Sequence, residues 1–436
     1  MPLPDLIEIV PLEKPVHAEI TVPGSKSITN RALVLAALAD GEVTLEGALW
    51  SEDTQVMVDC LQRLGFEVRV ELDPNEFCNR TITVRGRSGE IPKAGTVEKP
   101  LELFVGNAGT AARFLSAMVC LGRGVYRLSG VPRMHERPQA ALFSALRELG
   151  YRIDSANDRL PAMIHGTGPR EGRCRVSIEK SSQFASALLL CTRRTNWRVE
   201  IVGENAQESP YVAMTSEMLK VFPNAGGRFQ IEPDASSGSY FWSARTLLNW
   251  GKSESDKGSI IVRAWPTTNW QMDARFRDYS LPEVTLNRPT VSRESDLADS
   301  IMTAIVMAPL EPRASSKLFT HLGRLRVQEC ERVMALKEEL TRCGASMIEK
   351  GDTLEIFHSQ LHGAEIETYD DHRMAMCFAV LGLKVPGIKL RNPSCVKKTF
   401  PNFFQKLAAA PPHGLGATIL DGRTGRKLSH EYLFAE

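Results

Sequence analysis

At 436 residues the chain is too long for one ordinary hydrophobic core and points to two domains. A hydrophobic content of 43% and a charged content of 24% describe a globular protein, and a formal net charge of +1 gives no reason to expect nucleic acid or an anionic membrane as partner. No apolar run approaches a membrane span, the opening "MPLPDLIEIVPLEKP" lacks a secretory h-region, and nine Cys without a C-x-x-C pair fit reduced thiols in the cytoplasm.

The first strongly patterned stretch is "VPGSKSITNR" (22–31), ahead of the apolar run "ALVLAALAD". Pro23 and Gly24 predict a sharp turn, and the spacing from Ala32 to Leu38 predicts a mostly buried helix. The first turn of a helix offers free N–H groups and a positive dipole end. Lys26 and Arg31 therefore read either as an anion cradle or as solvated charges on a capped surface helix. The spacing is not that of a Walker A loop.

Farther on, "LQRLGFEVRV" (61–70) and "LRELGYRID" (146–154) share one cadence: helix end, glycine stop, aromatic, then a strand. Gly65 and Gly150 sit where a left-handed C-cap is expected, and "LKEELTRCGASMIE" (336–349) is a weaker copy. That recurrence predicts an α/β protein of duplicated βαβ-type units packed around each domain's core. "GSYFWSARTLLNW" (238–250) reads as a helix following the turn "DASS", and "SDLADSIMTAIVMAPL" (295–310) as another, N-capped by Ser295 or Asp296. "NWGKSESDKGS" and "DYSLPEVTLNRPTVSRESD" read as polar loops, and the chain past about residue 408 as a tail or small appendage.

Cations and hydroxyls recur at glycine turns and helix starts. "GNAGTAAR" (106–113) joins a tight turn to a small-residue helix that lets a ligand approach the backbone, and "PRMHERP" (132–138) presents Arg133 and Arg137. "EKSSQFASALLL" (179–190) puts two hydroxyls and an amide at a helix start, while "LRVQECERVMALKEEL" (325–340) sets Glu329 and Arg332 on one helix face. "YDDHRMAMCFAVLGL" (369–383) opens a buried helix with Asp371, His372 and Arg373, and "CVKKTFPNFF" (395–404) adds Lys397 and Lys398. Each has a plainer reading as a surface pair, a cap or a solvated patch. Together they exceed what capping requires. If they converge, they surround a small, highly charged ligand such as a phosphate ester carrying a carboxylate. No metal site is expected.

These motifs, with "PGSKSITNRALVLAAL", "GNAGTAARF", "SSQFASALL", "DDHRMAMCF" and "KKTFPNFF" in order from about residue 15 to 407, resemble the 5-enolpyruvylshikimate-3-phosphate synthases of the enolpyruvyl transferase family. A sister enzyme acting on UDP-N-acetylglucosamine is similar in fold, but its Cys-bearing loop has no counterpart in 114–137. The resemblance implies an α/β, two-domain inside-out barrel of repeated βαβαββ units. The lobes would be 1–20 with 233–436, and 21–232, with the active site in a cleft that closes on the substrates. It assigns Lys26, Ser27, Arg31, Ser181, Ser182, Gln183, Ser209, Asp299 and Gln328 to the shikimate-type acceptor. Lys26, Asn107, Gly109, Arg137, Gln183, Arg332, Arg373 and Lys398 would hold phosphoenolpyruvate. Asp299, Glu329, Lys26 and His372 would serve catalysis, with no cofactor, no metal and no macromolecular partner, in a cytoplasmic monomer.

Four departures from the family pattern bear on these expectations. Glu208 stands where a phosphate-binding Ser is usual, with Ser209 beside it, and Gln328 where a substrate-contacting Lys is common. Phe114 replaces a Pro after the "GNAGTA-x-R" run, and the unit following "NWQMDARFRDYSLPE" is cut short, so one repeat is expected to be degenerate. Three readings stay open: a synthase with a compensated phosphate site, a relative acting on an unphosphorylated or different cyclic acceptor, and an inactive binding homologue.

Overall fold

The computed structural model describes residues 3–203, 210–312 and 315–435. Its organising elements are six helices: α1 (Lys26–Leu38), α2 (Gly109–Met118), α3 (Gln183–Thr195), α4 (Ala235–Asn249), α5 (Ile301–Met307) and α6 (His372–Gly382). Stretches such as "RALVLAAL", "GTAARFLSAM" and "IMTAIVM" carry apolar or small residues on every face, and such helices are stable only when surrounded. Every residue of α2 and of α5 is buried.

The chain divides into two compact units, Gly24–Glu232 and Met1–Pro23 with Pro233–Glu436. In the Gly24–Glu232 unit α1, α2 and α3 pack on one another, and in the other unit α4, α5 and α6 do the same. Three sheets accompany each helical centre.

The sheets repeat one pattern, a parallel pair followed by two antiparallel strands. In the Gly24–Glu232 unit, Gly227–Gln230 runs parallel to Glu42–Leu49, which pairs antiparallel with Asn79–Arg85 and that with Val68–Leu72. Leu101–Phe104, Arg123–Ser129, Ala162–Thr167 and Arg152–Asp154 follow the same order. The other unit repeats it with Thr290–Ser292, Ser316–Thr320, Thr353–Phe357 and Ser346–Lys350, and with Glu365–Ile366, Ile388–Arg391, Leu6–Ile9 and Ile419–Asp421. The third sheet of each unit is only a parallel pair: Gly172–Ser177 with Trp197–Val202, and Ser259–Val262 with His17–Ile20. One repeat is abbreviated, as expected, but earlier than expected: after Val262 the chain makes only the short helical turns Met272–Arg275, Phe276–Tyr279 and Pro282–Leu286, whereas the unit following "NWQMDARFRDYSLPE" has its full four-stranded sheet. The second reduction, at Gly172–Ser177, has no counterpart among the sequence expectations.

The helix–glycine–strand cadence is a Schellman ending used three times. Gly65, Gly150 and Gly344 take φ of +91°, +85° and +92°. The next residue's N–H then reaches back to a helical carbonyl: Phe66 to Leu61 (3.0 Å), Tyr151 to Leu146 (3.1 Å) and Ala345 to Leu340 (2.9 Å).

Several boundaries differ from expectation. α4 starts at Ala235, inside "DASS", because the Asp234 side chain accepts the Ser237 N–H and so makes the turn itself the cap. The expected loop 278–296 contains helix Pro282–Leu286 and strand Thr290–Ser292, both too short for a periodic signal. His358 and His362, the one histidine pair spaced four apart, lie exposed on the loop after strand Thr353–Phe357, where no helix face aligns them. Among the described residues no helix is long and apolar enough to cross a membrane.

The segment past residue 408 is no loose appendage. Ile419–Asp421 supplies the last strand beside Leu6–Ile9, and Leu415, Ala417, Ile419, Leu433 and Ala435 are buried. The Pro412 carbonyl accepts the Glu19 N–H at 2.8 Å, and the Ala435 N–H donates to the Pro401 carbonyl at 2.9 Å. Burying each Leu or Ile side chain stabilises by about 1.5–3 kcal/mol, so the segment carries a share comparable to a domain's typical margin of about 5–15 kcal/mol. Ending the chain after Ala408 is therefore expected to lower the melting temperature by more than about 10 °C or to abolish the soluble protein. A melting curve unchanged within about 2 °C would show that the segment holds nothing.

Candidate functional site

The first turns of the buried helices gather the charged motifs. In the Gly24–Glu232 unit, Lys26 opens α1 and its ammonium pairs at 3.0 Å with Asp53, a buried carboxylate in the first turn of helix Glu52–Arg63. Gly109 opens α2. A Cβ there would lie 2.3 Å from Arg113 Nη1 and 2.6 Å from Arg137 Nη2, so two guanidinium groups rest on this backbone and any larger residue would displace them. Arg137 Nη1 donates to the Asn107 carbonyl at 2.9 Å, Arg113 Nη2 to the Pro138 carbonyl at 2.9 Å, and the buried Arg137 Nε meets no acceptor among the described residues. Gln183 opens α3 and joins the group: its Nε2 donates to Thr110 Oγ1 at 3.3 Å and its Oε1 accepts from Arg113 Nη1 at 3.5 Å. Ser181 Oγ accepts the Gln183 N–H at 3.3 Å, and Ser182, also at this helix start, is buried. Two crowded guanidinium groups beside two helix N-termini form a strongly anion-seeking surface.

Arg31 stands one turn beyond Ser27 in α1. It is 2% exposed, donating to Thr215 Oγ1 (2.7 Å), the Ser27 carbonyl (2.8 Å) and Ser186 Oγ (3.0 Å). The Phe114 and Tyr211 rings face its guanidinium at 5.3 and 6.0 Å. Burial pulls Arg31 down to about 10, against the opposing pull of Tyr211. Phe114, which stands where the family has a Pro, thus gives Arg31 an aromatic face inside the core. Ser27 is partly exposed at the start of α1. Glu208 and Ser209 lie outside the described residues.

In the other unit a second cluster forms around the starts of α4, α5 and α6. Asp371 caps α6, accepting the Arg373 N–H at 2.9 Å, and also receives Arg332 Nε at 2.7 Å. Arg332, 1% exposed at the start of helix Arg332–Arg342, donates to Glu329 at 2.8 Å and to the Gln328 amide oxygen. Lys398 approaches the other Glu329 oxygen at 3.4 Å. Arg373 Nη2 donates to Ser236 Oγ at 3.1 Å and lies 3.5 Å from Asp299 Oδ2, while Arg293 Nη2 donates to Asp299 Oδ1 at 2.7 Å. His372 is buried with Nδ1 3.8 Å from Asp371 Oδ1. Burial works against the Arg332 charge, but Asp371, Glu329 and Asp299 hold it well above the ordinary guanidinium value.

Asp299 departs most from the sequence reading. No continuous helix runs through 295–310: Arg293–Leu297 forms a wide π-turn, Ala298–Ser300 a tight 3-10 turn, and α5 begins at Ile301. The cap is Ser292, whose Oγ accepts the N–H groups of Glu294 and Ser295, and neither Ser295 nor Asp296 fills that place. Ala298 is forced to φ +45°, ψ −126°, a costly conformation that sets Asp299 at a break in the helical path. Asp273 stabilises the break by accepting the Ser300 N–H at 2.7 Å. Burial pushes Asp299 up, but Arg293, Arg373 and Arg332 outweigh it and hold its carboxyl well below the usual carboxylate range. Asp273, pushed by burial and then by the Asp299 charge, rises to about 7.

Of the residues expected at a site, Lys26, Asn107, Gly109, Arg137, Ser181, Ser182 and Gln183 fall in one unit, and Asp299, Gln328, Glu329, Arg332, His372, Arg373 and Lys398 in the other. Gly109, Asn107, Arg137 and Gln183 form one connected group, and Gln328, Glu329, Arg332 and Lys398 another. Sequence reasoning did not single out Asp53, Arg113, Asp273 or Arg293. Arg113 stands at the end of the quoted "GNAGTAAR". Arg293 lies in a stretch read as a loop and Asp273 in one given no element, and only the fold brings them to Asp299.

Known proteins bear on this arrangement. A family model described as EPSP synthase (3-phosphoshikimate 1-carboxyvinyltransferase) matches residues 10–225 and 222–407. The 3-phosphoshikimate 1-carboxyvinyltransferase of Trichormus variabilis is 38% identical over 434 residues, covering 92% of this chain and 98% of that protein. The protein of that name from Opitutus terrae is 36% identical over 444 residues, covering 94% and 98%. A solved EPSP synthase from Acinetobacter baumannii superimposes with a TM-score of 0.69 at 19% identity, covering 95% of this chain and 99% of that one. The fold is thus the inside-out α/β barrel, with helices at the centre of each unit. Matched by one family along almost its whole length, and by relatives of nearly equal length, the chain belongs to the EPSP synthase family.

Proposed function

We propose that the chain transfers the enolpyruvyl group of phosphoenolpyruvate to the 5-hydroxyl of shikimate 3-phosphate and releases phosphate, acting as a cytoplasmic monomer without a cofactor. The observation that carries the reading is Asp299, a largely enclosed carboxylate whose ionised form is favoured by Arg293, Arg373 and Arg332. A poor nucleophile such as a ring hydroxyl needs such a base to orient it and take its proton. Phosphoenolpyruvate, with about three negative charges, leaves water only for several converging cations. Lys26, Arg137 and Gln183, with the Gly109 backbone and Asn107, are assigned to it, as are Arg332, Arg373 and Lys398.

Protonation of carbon 3 creates cationic character at carbon 2, where the acceptor oxygen bonds. Glu329, bridged between Arg332 and Lys398, or Lys26, paired with Asp53, supplies that proton. The tetrahedral adduct then expels phosphate as a proton leaves the same carbon, and the guanidinium groups stabilise the departing dianion. Lys26, Ser27, Arg31, Ser181, Ser182, Gln183, Ser209, Asp299 and Gln328 are assigned to the acceptor, and His372 to catalysis. The relatives named above are all 3-phosphoshikimate enzymes, which favours a phosphorylated acceptor over an unphosphorylated one and over a binding role.

With phosphoenolpyruvate, the purified protein is expected to release phosphate when given shikimate 3-phosphate but not shikimate. The reverse result, or silence with both, would sink the reading. Asp299→Ala and Glu329→Ala should each keep a cooperative melt while kcat falls by about a hundredfold or more, and near-normal turnover in both would remove their roles. Lys398→Met should raise the KM for phosphoenolpyruvate by roughly tenfold to a hundredfold, the worth of a charge-assisted contact. An unchanged KM would take Lys398 out of the donor site.

A further inference from the structure

Asp273, buried in the turn Met272–Arg275, and Asp299, partly buried in the turn Ala298–Ser300, are two carboxylates from remote segments brought together at one break in the helical path. The Asp273 carboxyl accepts the N–H of Ser300, the residue after Asp299. Like charges so close in a dry setting do not both ionise readily, so something must decide which carries the charge. The groups facing Asp299 are Arg293, Arg373, Arg332 and Asp273, and those facing Asp273 are Asp299, Arg373 and Asp234. Arg373 acts on both carboxylates and lies 3.5 Å from Asp299 Oδ2, a longer and weaker pairing than the one Arg293 makes. Arg293 discriminates more sharply. Its guanidinium makes a direct bond to Asp299 Oδ1 at 2.7 Å, and the two side chains bury each other at 7% and 13% exposure.

Arg293 is also held where it must be to do this. It begins the π-turn that Ser292 caps, and the Ser292 N–H is itself bound by Asp296 at 2.7 Å. The turn ends at the strained Ala298, so the same backbone path delivers the cation and the carboxylate to each other.

Resting on the proposed role of Asp299 as base, we propose that Arg293 is a positioning residue for the reaction, keeping the negative charge on Asp299 and leaving Asp273 as the neutral, Ser300-bound partner. The opposite displacements of the two carboxyls agree with this division, and carboxylates with environments pushed apart are a common way to separate a base from an acid. Without Arg293 the proton would be shared, and Asp299 would ionise only at higher pH.

The test uses the whole protein with phosphoenolpyruvate and shikimate 3-phosphate. Arg293→Gln is expected to lower kcat/KM for the acceptor at neutral pH by about tenfold or more, and to move the acidic limb of its pH profile upward by about one unit or more. The KM for phosphoenolpyruvate should stay within about twofold, and Arg293→Lys should retain most of the activity. The decisive variant is Arg293→Gln with Asp273→Asn, which removes the competing charge but keeps an acceptor for the Ser300 N–H. It should regain activity and bring the acidic limb back down. If Arg293→Gln alone does not fold, the double variant should recover melting temperature, because the carboxylate that crowds Asp299 once Arg293 is lost is gone. A stationary acidic limb in the single variant, or a double variant no better than the single in rate and stability, overturns the proposal. Normal turnover in Asp299→Asn would instead defeat the assignment of the base, whatever Arg293 does.

Discussion

Everything in this protein follows from burying helices on all sides. Once α1, α2 and α3, or α4, α5 and α6, form a unit's centre, their first turns still present N–H groups with no helical acceptor. Those ends must meet side chains, backbone or ligand. In each unit cations, which cannot accept those N–H groups, stand beside them: Arg113 and Arg137 with the Gln183 amide in one, Arg293, Arg332 and Arg373 with the Ser236 hydroxyl in the other. A centre of small and apolar residues with polar ends makes each unit stable in its middle and anion-seeking at one place.

Cations held that close repel, and the two units answer the problem differently. In the unit of Asp299 the guanidinium groups alternate with carboxylates, Arg332 between Asp371 and Glu329 and Asp299 between Arg293 and Arg373. Such a lattice fixes side-chain geometry before any substrate arrives, at the cost of burying charge. In the Gly109 group Arg137 and Arg113 lean on backbone carbonyls, which neutralise little charge. Arg31 shows the limit of reading charge from sequence, because hydroxyls, a carbonyl and two rings solvate it inside the core.

The glycine stops at Gly65 and Gly150 were legible because a Schellman ending depends only on neighbours within six residues. The buried character of α1 was legible for the same local reason. The start of α4 was misplaced because an Asp three residues before a Ser can end a loop or begin a helix. The segment past residue 408 looked foreign because a three-residue strand has no period, and only the waiting edge of Leu6–Ile9 gives it meaning. Asp299 was found through a family motif, but its setting was not. A π-turn, a strained Ala298 and the remote Asp273 are not written in local spacing.

The sequence by itself determined the α/β class, the duplicated units, the family and the helix starts that carry charge, since each rests on short-range periodicity or on a motif within one segment. Tertiary structure alone decided which charges meet. Arg293 reaches Asp299, Asp273 caps the turn beside it, and Arg31 turns inward, because burial and distance between remote segments set those pairings and no linear pattern encodes either.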